Sequence, residues 1–179
     1  EGSSVYDIDR ILSEKAVILE GELLAFARDK KLEGRLFPDT YKFFLGSKVQ
    51  DVVDKFLDNF KSKAQPLLAK DPKNFETNLI LASLIESEVP DYEDRRLVAG
   101  ILKRRLAVGM PLQVDVDKTT YEFQGLPEAP INNPGLFSIQ AALHPTTTPY
   151  LYFISDKKGM MHYAKTFDEH QANIAKYLR

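Results

Sequence analysis

Apolar residues recur every three to four positions along several stretches of the chain, a pattern that predicts amphipathic helices. The clearest stretch follows Ser47, which forms a capping-box pattern with Gln50. Its apolar stripe consists of Val49, Val52, Val53, Phe56, Leu57 and Phe60. We predict a helix that buries this stripe and turns lysine and aspartate side chains toward water.

Capping patterns also predict helices at both ends of the chain. Ser4 with Asp7 opens a short first helix, and residues 20–30 form a second. Thr166 with Glu169 opens the last helix. The chain is therefore expected to begin and end in helical structure.

The stretch from Asp71 to Glu88 is apolar on nearly every side, which is typical of a helix buried in a core. Asp71 followed by Pro72 has the pattern of an N-terminal cap with proline at the first helical position. Pro90 predicts that the helix ends near Glu88 or Val89, because the residue before a proline avoids helical geometry. We expect this helix to lie at the centre of the fold.

A further helix is predicted to begin at Asp91, which pairs with Asp94 in a capping pattern, and to end at Gly109. Its inward face is expected to consist of Leu97, Val98, Ile101, Leu102 and Leu106. Three consecutive basic residues near its end are expected to form a solvated edge: Lys103, Arg104 and Arg105.

The remainder of the chain favours short strands and loops. Leu112 and Val114 alternate with polar neighbours, and residues 125–135 hold three prolines in a predicted loop. A short helix is predicted at 136–143. The last elements are a strand at 150–154, a turn at 156–159 and a partner strand at 162–165. We therefore predict an α+β fold, mostly helical with a small antiparallel β-sheet.

Composition narrows the possible functions. The 179 residues suit a single domain. With 24 basic against 26 acidic residues the net charge is −2, which does not favour nucleic-acid binding. The absence of cysteine excludes disulfides, thiolate metal sites and a cysteine nucleophile. No apolar run approaches the roughly 20 residues that span a bilayer.

The candidate chemistry centres on Glu86 and Glu88, two carboxylates at the end of the most apolar helix. At 100° per residue they point about 200° apart, so one should line a site while the other faces elsewhere. A partly buried carboxyl at a helix C-terminus should have a raised pKa, which a general acid requires. The alternative interpretation is a helix end with two solvated glutamates.

Other polar residues offer weaker signals. Asp115 and Asp117 could supply a second carboxylate, as a glycosidase would need, or could simply form a polar strand edge. The histidines, which are His144, His162 and His170, are too scattered for a metal site, and His170 is expected to be a satisfied core residue. Tyr150 and Tyr152 could stack on sugar rings, although strand alternation should place about half of such aromatic residues in the core.

Ordered motifs lie at residues 32–41, 81–88, 109–115, 125–127, 131–135, 144–153 and 162–173. Together they resemble those of the YceG-like family of endolytic murein transglycosylases. The resemblance covers most of the chain from residue 32 onward. It implies one catalytic domain over 1–179, in which 1–31 is a helical lead-in and 32–179 the motif-bearing core.

The resemblance also implies which residues act. The catalytic glutamate of the family's Ile-Glu-x-Glu motif falls on Glu88, with Glu86 as the reserve. The residues implied around the glycan, or bracing the catalytic glutamate, are Gln113, Asp115, Asn133, Tyr152 and His162. The family cuts the β-1,4 bond between N-acetylmuramic acid and N-acetylglucosamine and leaves a 1,6-anhydro end. This chemistry needs no metal, no cofactor and no second catalytic carboxylate.

Three departures from the family pattern are expected to alter the groove wall. Asp115-Val116-Asp117 stands where the family has Asp-Pro-Thr, the segment from there to Gly125 is shorter, and Met160-Met161 replaces small glycines. Two alternatives therefore stay open: a non-catalytic peptidoglycan-binding or scaffold domain, and a hydrolysing muramidase that uses Asp115.

The resemblance further implies where the protein works. The family carries an N-terminal membrane helix and a small LysM-like module, neither of which is in this sequence, and a start at Glu1 rather than methionine suggests a piece of a longer protein. We expect an extracytoplasmic, periplasmic location with a single membrane anchor in the full-length protein. The implied partners are peptidoglycan strands and cell-wall synthases such as penicillin-binding proteins, with no nucleic acid.

Overall fold

The computed structural model describes residues 1–28, 30–89, 91–114 and 119–178. Its helices are α1 (Val5–Glu14), α2 (Glu22–Ala27), α3 (Val49–Asn59), α4 (Gln65–Leu68), α5 (Phe75–Glu88), α6 (Tyr92–Ala107), α7 (Thr119–Glu122), α8 (Leu136–Leu143) and α9 (Phe167–Tyr177). A π-helical turn (Phe60–Ala64) joins α3 to α4, and a 3-10 turn (Pro72–Asn74) precedes α5. Strands β1 (Tyr152–Ser155) and β2 (Met161–Ala164) form an antiparallel hairpin. The predicted α+β fold, mostly helical with a small antiparallel sheet, is confirmed.

Three of the predicted helix caps are confirmed. The Ser4 hydroxyl accepts the backbone N–H of Asp7 while the Asp7 carboxylate accepts from the backbone of Ser4, which completes the capping box of α1. The Asp91 carboxylate accepts the N–H groups of Glu93 and Asp94 at the start of α6. The Thr166 hydroxyl accepts the N–H of Glu169 at the start of α9. These short polar side chains fix where each helix begins.

The predicted cap of α3 is wrong, although the helix itself is present. Helix α3 begins at Val49, so Lys48 occupies the capping position and makes no side-chain hydrogen bond to the helix. Ser47 instead donates its hydroxyl to the carbonyl of Phe44, and Gln50 donates to Asp54 along the helix surface. The apolar stripe drives this helix by itself, since Val52, Val53 and Phe56 are buried. Phe60, the last residue of the stripe, is also buried.

Helix α5 is the buried central element that its apolar sequence predicts. All eight residues from Asn78 to Ile85 are buried, and the helix ends at Glu88 because Val89 adopts extended backbone geometry. It begins four residues after Asp71, whose carboxylate accepts the side-chain amides of Asn74 and Asn78 rather than capping the helix directly. The predicted end is confirmed, and the start lies one turn later than expected.

Two hydrophobic clusters build the interior. One surrounds α5 and packs it against α6 and α8, with the π-helical turn and Leu112 completing its walls. The other joins α1, α2 and α3 to the turn-containing segment that holds Leu32 and Leu36. This second cluster contains residues from both sides of position 31, and the division into a lead-in and a core stays a prediction.

Helix α6 ends at Ala107, and Gly109, the predicted cap residue, follows two positions later with a φ of +70°, a geometry that favours glycine. The N–H of Met110 donates to the carbonyl of Arg105 at 2.9 Å, and that of Gly109 to Leu106 at 3.2 Å, which is the Schellman arrangement. Within the described residues, the alternating stretch after it forms an isolated bridge between Pro111 and Gln124. None of the helices in the described ranges combines the length and apolar character that crossing a bilayer demands.

Asp9 generates a testable prediction for the second cluster. This residue of α1 is 2% exposed, and its carboxylate accepts the N–H groups of Gly21 and Leu23, both at 2.8 Å, at the start of α2. We expect Asp9→Ala to lower the free energy of unfolding by about 2 kcal/mol in urea denaturation, because buried N–H groups lose their acceptor. Asp9→Asn keeps one acceptor oxygen and should lose less. A loss no greater than that of Asp58→Ala, at an exposed position, would contradict this role.

Candidate active site

Glu86 is committed to a buried ion pair. Its carboxylate lies 3.0 Å from Nη2 of Arg95, and both side chains are less than one-tenth exposed. The same carboxylate accepts the backbone N–H of Gly135 at 2.8 Å. Arg95 uses its remaining donors on the carbonyl of Val89 and the hydroxyl of Ser138. Glu86 therefore joins the end of α5 to the beginnings of α6 and α8.

Glu88 faces a different environment, as the helical geometry predicts. It is the last residue of α5, half-buried, and it lines a cleft of about 270 Å³. The polar residues that line this cleft with it are Arg105, Gln113, Tyr121, Ser155 and His170. The two glutamates thus have separate roles: one belongs to the internal framework of the protein, and the other is presented to a space that a ligand can enter.

Arg105 forms one wall of the cleft, and its predicted position at a solvated edge is wrong. The side chain is 4% exposed, because it donates to the carbonyls of Leu151 and Leu112, both at 2.6 Å. Its guanidinium also lies 5.2 Å from the ring centre of Tyr152. Burial lowers the pKa of Arg105 from its usual value. The two carbonyls and the ring of Tyr152 hold the guanidinium in place. This residue joins the end of α6 to the β-hairpin.

Gln113 reaches the cleft from a strained backbone. Its φ is +52°, a left-handed geometry that costs energy for any residue with a side chain. Hydrogen bonds on both sides hold it there: the N–H of Gln113 donates to the carbonyl of Thr120, and the N–H of Val114 to the hydroxyl of the same threonine. The exposed Gln113 side chain and Glu88 consequently line one cleft, as the motif comparison implies.

His170 and Tyr152 lie against each other at the edge of the cleft. Their rings are stacked with centres 5.1 Å apart, and His170 itself lines the cleft. Burial, together with the nearby charge of Arg105, lowers the pKa of His170 below its usual value. The expectation that His170 is a satisfied core histidine is wrong, since its buried Nδ1 atom has no hydrogen-bond partner in the part of the chain that the structure describes.

His162 is occupied by structural contacts at the hairpin. Its Nε2 atom lies 3.0 Å from the carboxylate of Asp156, and its ring stacks on Tyr177 with centres 3.6 Å apart. The hydrogen bond with His162 is the largest cause of the lowered pKa of Asp156. His162 thereby ties the end of α9 to the turn between the strands, and it is not among the residues that line the cleft of Glu88.

Asn133 lies away from this cleft. Its side-chain oxygen accepts the N–H of Leu36 at 2.7 Å, and its amide donates to the carbonyl of Ser3 and to the carboxylate of Glu33. These contacts brace the two hydrophobic clusters against each other. Asp115, the other carboxylate of interest, lies outside the described residues.

A larger cavity exists elsewhere in the molecule. It measures about 540 Å³ and is mainly apolar, with walls from α1, α3 and the segment 36–45. Asp39 at its rim is held by Lys63 and Asn59. Among the described residues, no group of three or more histidine and carboxylate side chains is arranged to hold a metal ion. The cleft of Glu88 is the better candidate for acid–base chemistry, because a carboxyl group, a histidine and an arginine line it together.

Arg105, Tyr121 and Ser155 are cleft residues that the sequence interpretation missed. A signal for Arg105 was present: it lies four positions after Ile101 and seven after Val98, on the buried face of α6. Tyr121 and Ser155 carried no such signal, because a four-residue helix and the end of a strand are too short to show periodicity.

A family model described as the YceG-like family matches residues 1–118 and 119–176. An endolytic murein transglycosylase of Bacillus subtilis is 33% identical, over 82% of this chain and 48% of its own length. One from Streptococcus pneumoniae serotype 2 is 28% identical, over 83% of this chain and 32% of its own length. The chain thus spans about half, or less, of these curated relatives.

A solved structure shares the fold. The crystal structure described as a YceG-like protein from Listeria monocytogenes superposes with a TM-score of 0.70 and 26% sequence identity. The match covers 96% of this chain and 65% of that one.

The ion pair of Glu86 leads to a prediction about stability. We expect Glu86→Gln to lower the free energy of unfolding by roughly 3 kcal/mol, because it leaves the buried charge of Arg95 without its counter-ion. Glu93→Gln is the matched control, since Glu93 pairs with Arg96 at an exposed position. That control should cost less than about 1 kcal/mol. Equal losses in urea denaturation would show that Glu86 is not a structural residue.

Proposed function

The chain belongs to the YceG-like family, and on this premise we propose that it is an endolytic lytic transglycosylase of peptidoglycan. It would cleave the β-1,4 bond between N-acetylmuramic acid and N-acetylglucosamine and leave a 1,6-anhydro end. Two relatives that carry the name endolytic murein transglycosylase support this proposal.

One structural observation carries the assignment of the catalytic residue. Of the two glutamates at the end of α5, Glu86 is held in a buried ion pair, whereas Glu88 lines the cleft. A general acid must approach the oxygen that it protonates to within hydrogen-bond distance. Only a carboxyl group presented to a cleft meets this requirement, which favours Glu88.

The proposed reaction uses Glu88 twice. In its protonated form the carboxyl group donates its proton to the glycosidic oxygen as the bond to the anomeric carbon breaks. The acetamido group of the sugar relieves the positive charge that develops on that carbon. The resulting carboxylate then accepts the proton of the C6 hydroxyl, whose oxygen bonds to the anomeric carbon. The proton balance closes without water, so a second catalytic carboxylate is not needed.

The neighbouring residues would shape the cleft around this reaction. Arg105 donates hydrogen bonds to the carbonyls of Leu112 and Leu151, which fixes the residue before Gln113 and the residue before β1. We propose that Gln113 contacts the glycan and that Tyr152 supports the cleft from the side through its stacking. For His162 and Asn133 the observed contacts favour bracing over contact with the glycan.

Two other functions follow from the same site. A cleft that binds glycan without cleaving it would make the protein a binding or scaffold domain. A hydrolysing muramidase would need a second carboxylate to activate water, and Asp115 is the candidate in the sequence. The names of the two relatives, both endolytic murein transglycosylases, favour the transglycosylase.

The substrate determines where the protein would work. Murein lies outside the cytoplasmic membrane, so we propose an extracytoplasmic, periplasmic site of action. Cell-wall synthases such as penicillin-binding proteins are the proposed partners, because a glycan-cutting enzyme ends the strands that those synthases extend.

Replacing the acid tests the proposed activity. We expect Glu88→Gln to keep its far-ultraviolet circular dichroism and thermal midpoint while releasing no anhydromuropeptides from purified murein. The amide is nearly the same size as the carboxyl group but cannot donate an acidic proton. Glu93→Gln, at an exposed position on α6, should retain wild-type activity. Full activity of Glu88→Gln would refute the assignment.

The mass of the products separates the alternatives. We expect the wild-type protein to release sugar ends that are lighter by one water than the reducing ends of hydrolysis, as measured by mass spectrometry. Reducing ends would identify a muramidase instead. Sedimentation of the protein with murein whose glycan stays intact would identify a binding domain.

A further inference from the structure

The cleft contains a histidine, His170, that takes no part in the proposed reaction. His170 projects from α9 into the same cleft as Glu88, and its ring stacks on Tyr152. Its Nδ1 atom is buried and has no hydrogen-bond partner in the described part of the chain. A polar atom in such a position normally costs stability, so its retention in a cleft requires an explanation.

The surroundings of His170 fix its orientation. One face of the ring stacks on Tyr152, with centres 5.1 Å apart, and the tilted ring of Phe167 lies 6.3 Å from its centre. The guanidinium of Arg105, which lines the same cleft, disfavours a second positive charge on the ring. His170 therefore presents a neutral imidazole, which has one N–H donor and one acceptor nitrogen.

The buried nitrogen indicates which atom meets a ligand. His170 lines the cleft and its Nδ1 is shut off from solvent, so we infer that Nε2 is the ring nitrogen that faces the cleft. Buried N–H groups without an acceptor are rarer in proteins than buried acceptors without a donor. Protonation at Nε2 therefore suits the site better, because the buried atom then carries a lone pair and the cleft receives an N–H donor.

We propose that His170 is a substrate-binding residue that donates a hydrogen bond from Nε2 to an oxygen of the bound glycan. This inference rests on the proposed function, since the ligand it names is the glycan strand. Sugar hydroxyls and acetamido carbonyls are the acceptors that murein offers. The packed ring gives the donor a fixed position, so its loss should weaken binding more than it slows the chemical step.

Binding can be measured apart from catalysis. The bound fraction of the Glu88→Gln protein is determined by sedimentation with purified murein over a range of protein concentrations. In that background we expect His170→Phe to weaken binding roughly three- to tenfold, the size of one hydrogen bond. Phenylalanine keeps the stacking on Tyr152 but has no donor. His170→Gln retains an N–H donor on a side chain of similar reach and should restore most of the affinity.

Two controls make the result specific. His144→Gln removes an exposed histidine that does not line the cleft, and its affinity for murein should equal that of the parent protein. In the protein that retains Glu88, His170→Phe should raise KM by a similar factor and leave kcat within about twofold. A thermal midpoint that stays within a few degrees shows that the variant is folded.

The outcomes separate this inference from the proposed function. If neither the wild-type protein nor Glu88→Gln binds or cleaves murein, the proposed function fails. If both bind murein and His170→Phe binds equally well, the role of His170 is refuted while the proposed function stands. A loss of kcat with KM unchanged would also refute a binding role, because it would place His170 in the chemical step.

Discussion

The buried contact between Glu86 and Arg95 determines how the rest of the site is arranged. Two charges with less than a tenth of their side chains exposed are stable only when each finds its partner and further hydrogen bonds. Arg95 also binds the carbonyl of Val89, just beyond the last turn of α5. The position at which α5 ends is thereby fixed, and with it the direction in which Glu88 leaves the helix. A buried pair of this kind gives specificity of geometry rather than great stability.

Helix α6 carries a second buried arginine that acts at its other end. Arg95 lies in its first turn and Arg105 in its last, so one helix holds both the end of α5 and the wall of the cleft. The Schellman motif at Gly109 turns the chain back so that the carbonyl of Leu112 meets the guanidinium of Arg105. Glu88 and Gln113, which are distant in sequence, share a cleft because these two arginines set the positions of their segments.

Periodic apolar patterns predicted most of the fold, because they report which face of an element is buried. The hairpin, α8 and the buried character of α5 followed from such patterns and from turn residues. The start of α5 and the cap of α3 were not predictable in this way: Asp71 and Ser47 each have nearby polar groups that compete for the same hydrogen bond. The helical repeat alone was enough to predict that Glu86 and Glu88 face different environments. The place of Arg105 on the buried face of α6 follows from the helical repeat, but its hydrogen bond to the carbonyl of Leu151, 46 residues away, is contained in no local pattern.

Two adjacent asparagines in the loop at 131–135 hold the framework around the cleft of Glu88, although neither lines that cleft. Asn132 donates to the carbonyl of Ser83 and the hydroxyl of Ser87, which holds the loop against the second half of α5. Asn133 faces the other way and binds Leu36 and Glu33 of the second cluster. The N–H of Gly135 then completes the coordination of Glu86. The last turn of α5 is thus held on two sides by one short loop. Because Ser87 and Glu86 are both restrained, the framework fixes the backbone from which Glu88 extends, and a fixed backbone is part of the preorganisation that a general acid requires.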